Sequence, residues 1–229
     1  MSDFTRYAVY YAPRPGAFAT RVAGWLGWDP EAGLPIAFAG PEGLPRPQAE
    51  LTMSPRKYGF HGTIKAPFRL AEGLERADLS GALADLAGRL APVGTRGLEL
   101  RRIGGFLALV PQGDEAALLA LGAGVVTDLD PLRAPLTEAE IAKRRPDRLT
   151  PRQRELLSAW GYPFVMEEFR FHLTLSDNLP ESEAAELAAR LDPWLAPDLP
   201  RPFAIEDLCL FGEDAAGRFH LLERHALTG

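Results

Sequence analysis

The chain has 229 residues, 46% of them hydrophobic and 24% charged, which is enough to bury a sizeable core and ordinary for a globular protein. Its formal net charge of −6 gives no global field for gripping duplex DNA or long RNA, so an anionic ligand has to be small and held by a local basic pocket. One cysteine, Cys209, excludes an internal disulfide framework; with no signal-like start and no apolar run of about 20 residues, the expectation is a cytoplasmic protein with no membrane partner.

Residues 6–13, RYAVYYAP, are rich in Tyr and Val and stop at a proline, which predicts a strand. Phe18, Val22, Trp25 and Leu26 then recur at helical spacing up to Gly27. Residues 29–55 are dense in Pro and Gly and read as a long irregular connection. Leu79, Leu83, Leu86 and Leu90 mark an amphipathic helix, and residues 96–111 read as two strands turning at Gly104-Gly105. A helix weakened by glycine follows over 114–133.

In the second half, 168–177 reads as a strand and 180–195 as a helix opened by proline. Residues 203–214 and 218–227 then read as strands around an Asp-Ala-Ala-Gly turn, with Cys209 a small buried side chain. Strand–helix–strand–strand thus occurs twice, which reads as an internal duplication. The expected fold is α+β, a single domain of two lobes, 1–133 and 168–229, with termini and crossing strands free to exchange between them. Residues 134–167 have no counterpart in the first half; two capping boxes, Thr137-x-x-Glu140 and Thr150-Pro-x-Gln153, open two short helices joined by the basic KRRPDR.

The two halves also share a phrase. GFHGTIKAPF holds His61, Thr63 and Lys65, and RFHLTLSDNL holds His172, Thr174 and Ser176. Strand alternation puts each of these triplets on one face and an apolar row on the other. Imidazole exchanges protons near neutral pH, so one from each half can divide the work of opening a phosphodiester, one as base and one as acid. The threonine hydroxyls, on the same face, can bond the non-bridging oxygens, and no metal or other cofactor is required. A metallohydrolase reading is weaker: alternation puts Asp177 on the face opposite His172, and no HExxH or His-x-His spacing exists.

HGTI and HLTL, half a chain apart on strands of a duplicated unit, resemble the 2H phosphoesterase superfamily. The longer phrases, including KRRPDRLTPRQRELLSAWGYP before the second motif, resemble its branch of unknown function associated with phosphonate metabolism. The resemblance spans essentially the whole chain. It implies two antiparallel sheets facing a central groove with helices outside, no metal, and hydrolysis or transesterification of a cyclic or 2′-linked phosphodiester. The implied partner is a small ribose- or nucleotide-like phosphate, such as a ribosyl cyclic phosphate; RNA 2′-end processing and a non-catalytic phosphate-binding module are the alternatives. A monomer is expected.

The catalytic candidates are therefore His61, Thr63, His172 and Thr174. Substrate-binding candidates are Lys65, Arg170 and Ser176, in phase with the histidines, together with Tyr58 and Tyr10. Tyr58 falls on the opposite face by strict alternation, with Gly59 able to disturb it. Arg144 and Arg145 are candidates for a lid that clamps a second phosphate; Tyr11, Trp160 and Tyr162 are aromatic groups better suited to the core. His220 and His225 lack a Thr partner and are expected to be structural.

Overall fold

The computed structural model describes residues 4–229. Its strands are β1 (Arg6–Tyr11), β2 (Trp28–Asp29), β3 (Leu34–Pro35), β4 (Gly62–Phe68), β5 (Val93–Thr95), β6 (Gly97–Ile103), β7 (Phe106–Gln112), β8 (Leu173–Thr174), β9 (Phe203–Ile205), β10 (Asp207–Glu213) and β11 (Phe219–Ala226). Its helices are α1 (Ala17–Leu26), α2 (Gln48–Leu51), α3 (Arg76–Ala87), α4 (Ala116–Leu129), α5 (Glu138–Lys143), α6 (Pro151–Trp160) and α7 (Glu181–Leu195). The α+β class and the antiparallel pairing are as expected.

Seven strands form one ladder in the order β11-β10-β1-β4-β8-β7-β6, and two short pairs, β2–β3 and β5–β9, stand apart. The ladder has two halves. Four strands, β11, β10, β1 and β4, carry the first His-x-Thr motif; three, β8, β7 and β6, carry the second. Strands from late in the chain thus flank the first motif, and strands from early in the chain flank the second. The halves are joined through β4 and β8, where Gly62 pairs with Leu173.

Apolar periodicity decides the layers. Val22, Trp25 and Leu26 of α1, Leu79, Leu83 and Leu86 of α3, and Leu187, Leu191 and Leu195 of α7 are buried with Tyr7, Val9 and Tyr11 of β1. α3 packs on β10 and β11, α4 on β4, and α7 on β6 and β7. The other face of β1 carries Ala8 and Tyr10, in a smaller cluster with Ala12, Cys209, Phe211 and Phe219. That face holds the candidate site.

Both predicted capping boxes form, with reciprocal side-chain-to-backbone bonds at Thr137/Glu140 and Thr150/Gln153. The hairpin turns at Gly104-Gly105 as expected, and Gly27 closes α1 in the left-handed region. The strand expected over 168–177 is much shorter. A 3-10 turn occupies Met166–Glu168, and beyond Thr174 the amides of Leu175 and Ser176 converge on one carbonyl, that of Leu107, which ends the ladder. Among the described residues, no helix is long and apolar enough to cross a membrane.

Candidate active site

His61 lies just before β4, delivered by a 3-10 turn over Pro55–Lys57 and a left-handed Gly59 (φ 69°). A Cβ on residue 59 would stand 2.8 Å from Pro30, so the dihedral and the space both require glycine. The same turn swings Tyr58 round to the imidazole, ring centroids 5.7 Å apart, and stacks it on Phe219 at 5.0 Å. Strict alternation, which sent Tyr58 to the opposite face, fails here because the chain is not yet a strand.

The register of β4 and β8 assembles the two motifs. Carried one residue outward from Gly62 and Leu173, antiparallel pairing sets His61 beside Thr174 and Thr63 beside His172. Each imidazole is also held the same way. His61 Nδ1 is 3.0 Å from the carbonyl oxygen of Gly59, and His172 Nδ1 is 2.8 Å from that of Arg170. A carbonyl only accepts, so both Nδ1 atoms carry the proton and both Nε2 atoms are left for chemistry.

At His61, Nε2 accepts from the Thr63 hydroxyl at 3.3 Å. Tyr10 stacks on the ring at 4.1 Å. Burial pushes the His61 pKa down to about 4; the Gly59 carbonyl opposes the shift and His172 adds to it. His61 is therefore neutral at pH 7. The His172 ring rests 5.6 Å from Phe106.

A cavity of about 360 Å³ opens over this face. It is lined by Tyr10, Tyr58, His61, Thr63, Thr174, Ser176 and Arg144 of the predicted set. His172 stands beside it, against the lining residue Phe106.

Three predicted residues are not brought in. Lys65 pairs with Val9, whereas Thr63 pairs with Tyr10; β4 advances two residues while β1 advances one. This bulge turns Lys65 onto the core face, where it is buried and its Nζ donates to the Val126 carbonyl at 3.1 Å, with Asp130 at 3.6 Å. Burial there draws its pKa down to about 8, against the pull of Asp130. Arg170 points outward and donates to the carbonyls of Glu167 and Phe169. Arg145 is exposed, with φ 49° at the end of α5.

Ser176 lines the cavity but has no hydroxyl proton to spare. Its Oγ accepts from the Leu107 amide and donates to the Asp177 carbonyl, both at 2.9 Å. Asp177 does not stay on the far face either: once the ladder ends, its amide bonds Leu51, its carboxylate accepts from the Ser54 amide at 3.0 Å, and it lines the cavity.

Arg6, Phe106 and Asn178, not among the candidates from sequence, and Tyr162, expected in the core, also line the cavity. Arg6 had a signal, since it is in phase with Tyr10 on β1. Ser54, also on the wall, had none, because its place depends on the 29–55 connection folding back onto the second motif. His220, bound to Asp214 at 2.8 Å, and His225, 3.3 Å from Glu223, make their contacts away from this cavity. Among the described residues, no three His, Cys, Asp or Glu side chains gather as a metal-ligand group.

A family described as "Protein of unknown function (DUF1045)" matches residues 63–220, the second motif whole and the first from its threonine onward. The chain is 39% identical over 184 residues, 80% of its length, to the "Ribose 1,5-bisphosphate phosphokinase PhnN" of Janthinobacterium sp. (strain Marseille). It is 36% identical over 93% of its length to the protein of the same name in Laribacter hongkongensis. It spans only 41% and 49% of those two relatives, less than half of each. Similar solved structures include E. coli LigT complexed with 3′-AMP, at 18% identity and TM-score 0.44, covering 98% of this chain and 99% of that one. TT0787 of Thermus thermophilus is similar at 17% identity and TM-score 0.46, covering 98% of each.

Proposed function

The chain belongs to the family described as protein of unknown function DUF1045, and for this member we propose a metal-independent phosphodiesterase that opens a cyclic phosphodiester on a small ribose- or nucleotide-like molecule. The observation that carries the reading is the β4–β8 register, which sets two Nδ1-anchored histidines and their threonines around one junction.

His61, neutral with an unprotonated Nε2, is the base: it takes the proton from a water as the water oxygen bonds to phosphorus. His172 is the acid. Its imidazolium gives the Nε2 proton to the ring oxygen as the P–O bond breaks, while the Arg170 carbonyl holds the Nδ1–H throughout. The Thr63 and Thr174 hydroxyls donate to the non-bridging oxygens, Thr63 turning its proton from His61 to the phosphate. The product is a phosphomonoester.

A ribosyl cyclic phosphate is the favoured substrate. The name of the two curated relatives concerns a ribose phosphate, and the paired motif resembles a branch associated with phosphonate metabolism. Kinase chemistry is not part of the proposal, because this chain has no G-x-x-x-x-G-K-[ST] phosphate loop.

The test is a chelator-treated screen of ribose 1,2-cyclic phosphates, nucleoside 2′,3′-cyclic phosphates, ADP-ribose 1″,2″-cyclic phosphate and 2′,5′-linked dinucleotides. Ring opening that survives chelator and is lost in His61→Ala and His172→Ala is the expected result. Opening only on return of a divalent metal would overturn the mechanism.

A further inference from the structure

Two arginines line the cavity, Arg6 and Arg144. Arg6 is spoken for: its Nε and Nη2 bond the two carboxylate oxygens of Glu213. Arg144 has no carboxylate partner among the described residues. The carboxylate on the cavity wall, Asp177, accepts instead from the Ser54 amide. A half-buried guanidinium in a protein of net charge −6 would ordinarily be matched by one of its many acids.

Arg144 instead lies over an aromatic ring, its guanidinium carbon 4.7 Å from the centroid of Tyr162. A guanidinium that rests its flat face on a ring keeps its edge N–H groups free, in the fork that suits a phosphate. Arg144 is also fixed in place. It caps α5, whose start is locked by the Thr137/Glu140 box, and Glu140 is bonded twice by Arg69, the residue that follows β4. Arg69 also donates to the Pro135 carbonyl. The strand that leads out of the first motif therefore anchors the helix that presents Arg144. Arg144 and Tyr162 line the same cavity as Tyr58 and His61.

We propose that Arg144, laid over Tyr162, is a second anion site of this cavity, so that the preferred substrate is a cyclic phosphodiester on a sugar that carries a further phosphate. This names a substrate class for the site proposed above and rests on that reading. The two are separable, because anion binding needs no turnover.

Titration calorimetry with ribose 5-phosphate reads the anion site directly. Arg144→Gln is expected to weaken binding about tenfold or more, the low end for charge-assisted hydrogen bonds, with partial recovery in Arg144→Lys and no change in Arg145→Ala. In turnover, Arg144→Gln is expected to raise KM for 5-phosphorylated ribose 1,2-cyclic phosphate, relative to the 5-hydroxyl compound, by a similar factor. Equal effects on the two compounds, or ribose 5-phosphate binding that Arg144→Gln leaves intact, overturn the proposal. If binding depends on Arg144 while no cyclic phosphate is opened, the anion site stands and the catalytic reading is what fails.

Discussion

Gly62 faces Leu173 at the rung that joins the two halves of the sheet, and a residue either side of it stands His61 beside Thr174 and Thr63 beside His172. The rung needs a glycine. A Cβ on residue 62 would fall 2.3 Å from the Phe171 ring, which fills the space where a side chain would go. The residue that places both histidines is thus one that carries no side chain.

Gly62→Val is therefore expected to be overpacked by about 1–3 kcal/mol and to melt several degrees lower. Turnover should fall with it, since the rung sets the spacing of the two motifs. Phe171→Leu in the same chain should restore part of both. A Gly62→Val protein with unchanged melting temperature and unchanged rate would mean that the rung does not hold the site.

His61→Ala and His172→Ala are each expected to lower kcat by about 10²–10⁴ with an unchanged far-UV spectrum. The pH–rate profile should be bell-shaped, and with His61 as the proposed base its acid limb should lie nearer pH 4 than pH 6.5, because burial lowers the His61 pKa. A rate that rises steadily from pH 5 to 9 would count against the pair.

The same shift has a stability consequence. His61 protonates at about pH 4 when folded and near 6.5 when unfolded, so between those values the unfolded chain binds more protons. Its contribution is present above about pH 6.5 and is lost as pH falls toward 4. Melting temperatures at pH 7 and pH 4.5 should therefore differ less in His61→Gln than in the parent. An identical difference in both would show that His61 is not the group responsible.

Lys65→Ala is expected to cost about 2–4 kcal/mol in denaturant melts, from the emptied space and the lost bond to the Val126 carbonyl, while KM stays the same. Ser176→Ala should likewise lower stability, by about 1–3 kcal/mol, because it orphans the buried Leu107 amide. A raised KM for phosphorylated substrates in either variant would return that residue to the site.

Glu140 links the insert to β4, and the Arg69 guanidinium holds its carboxyl down to about 2. Glu140→Gln should loosen residues 134–167, read as faster amide exchange there with little change in the sheet. Acid should do the same: the link is present above the usual carboxylate pKa and fades as pH falls toward 2. Unchanged exchange in the insert would show that other contacts hold it.

What repeats locally was already written in the amino-acid order. The His-x-Thr phrases, the Leu rows of α3, the Gly104-Gly105 turn and both capping boxes each lie within a few residues, because helices, turns and caps are closed by neighbours in the chain. What pairs across the chain was settled by the fold. One added residue in β4 against β1 carried Lys65 out of the site, the Gly59 turn carried Tyr58 in, and the end of the ladder after Thr174 turned Asp177 toward the cavity. Strand alternation predicts faces only while a ladder stays regular, and a bulge or a lost rung is set by the partner strand. Arg6, Phe106 and Arg144 are separated by up to 138 residues and meet on one wall only because β1, β7 and the insert are brought together by the fold. The two His-x-Thr pairs were legible in two short phrases; which side chains surround them was a matter of register.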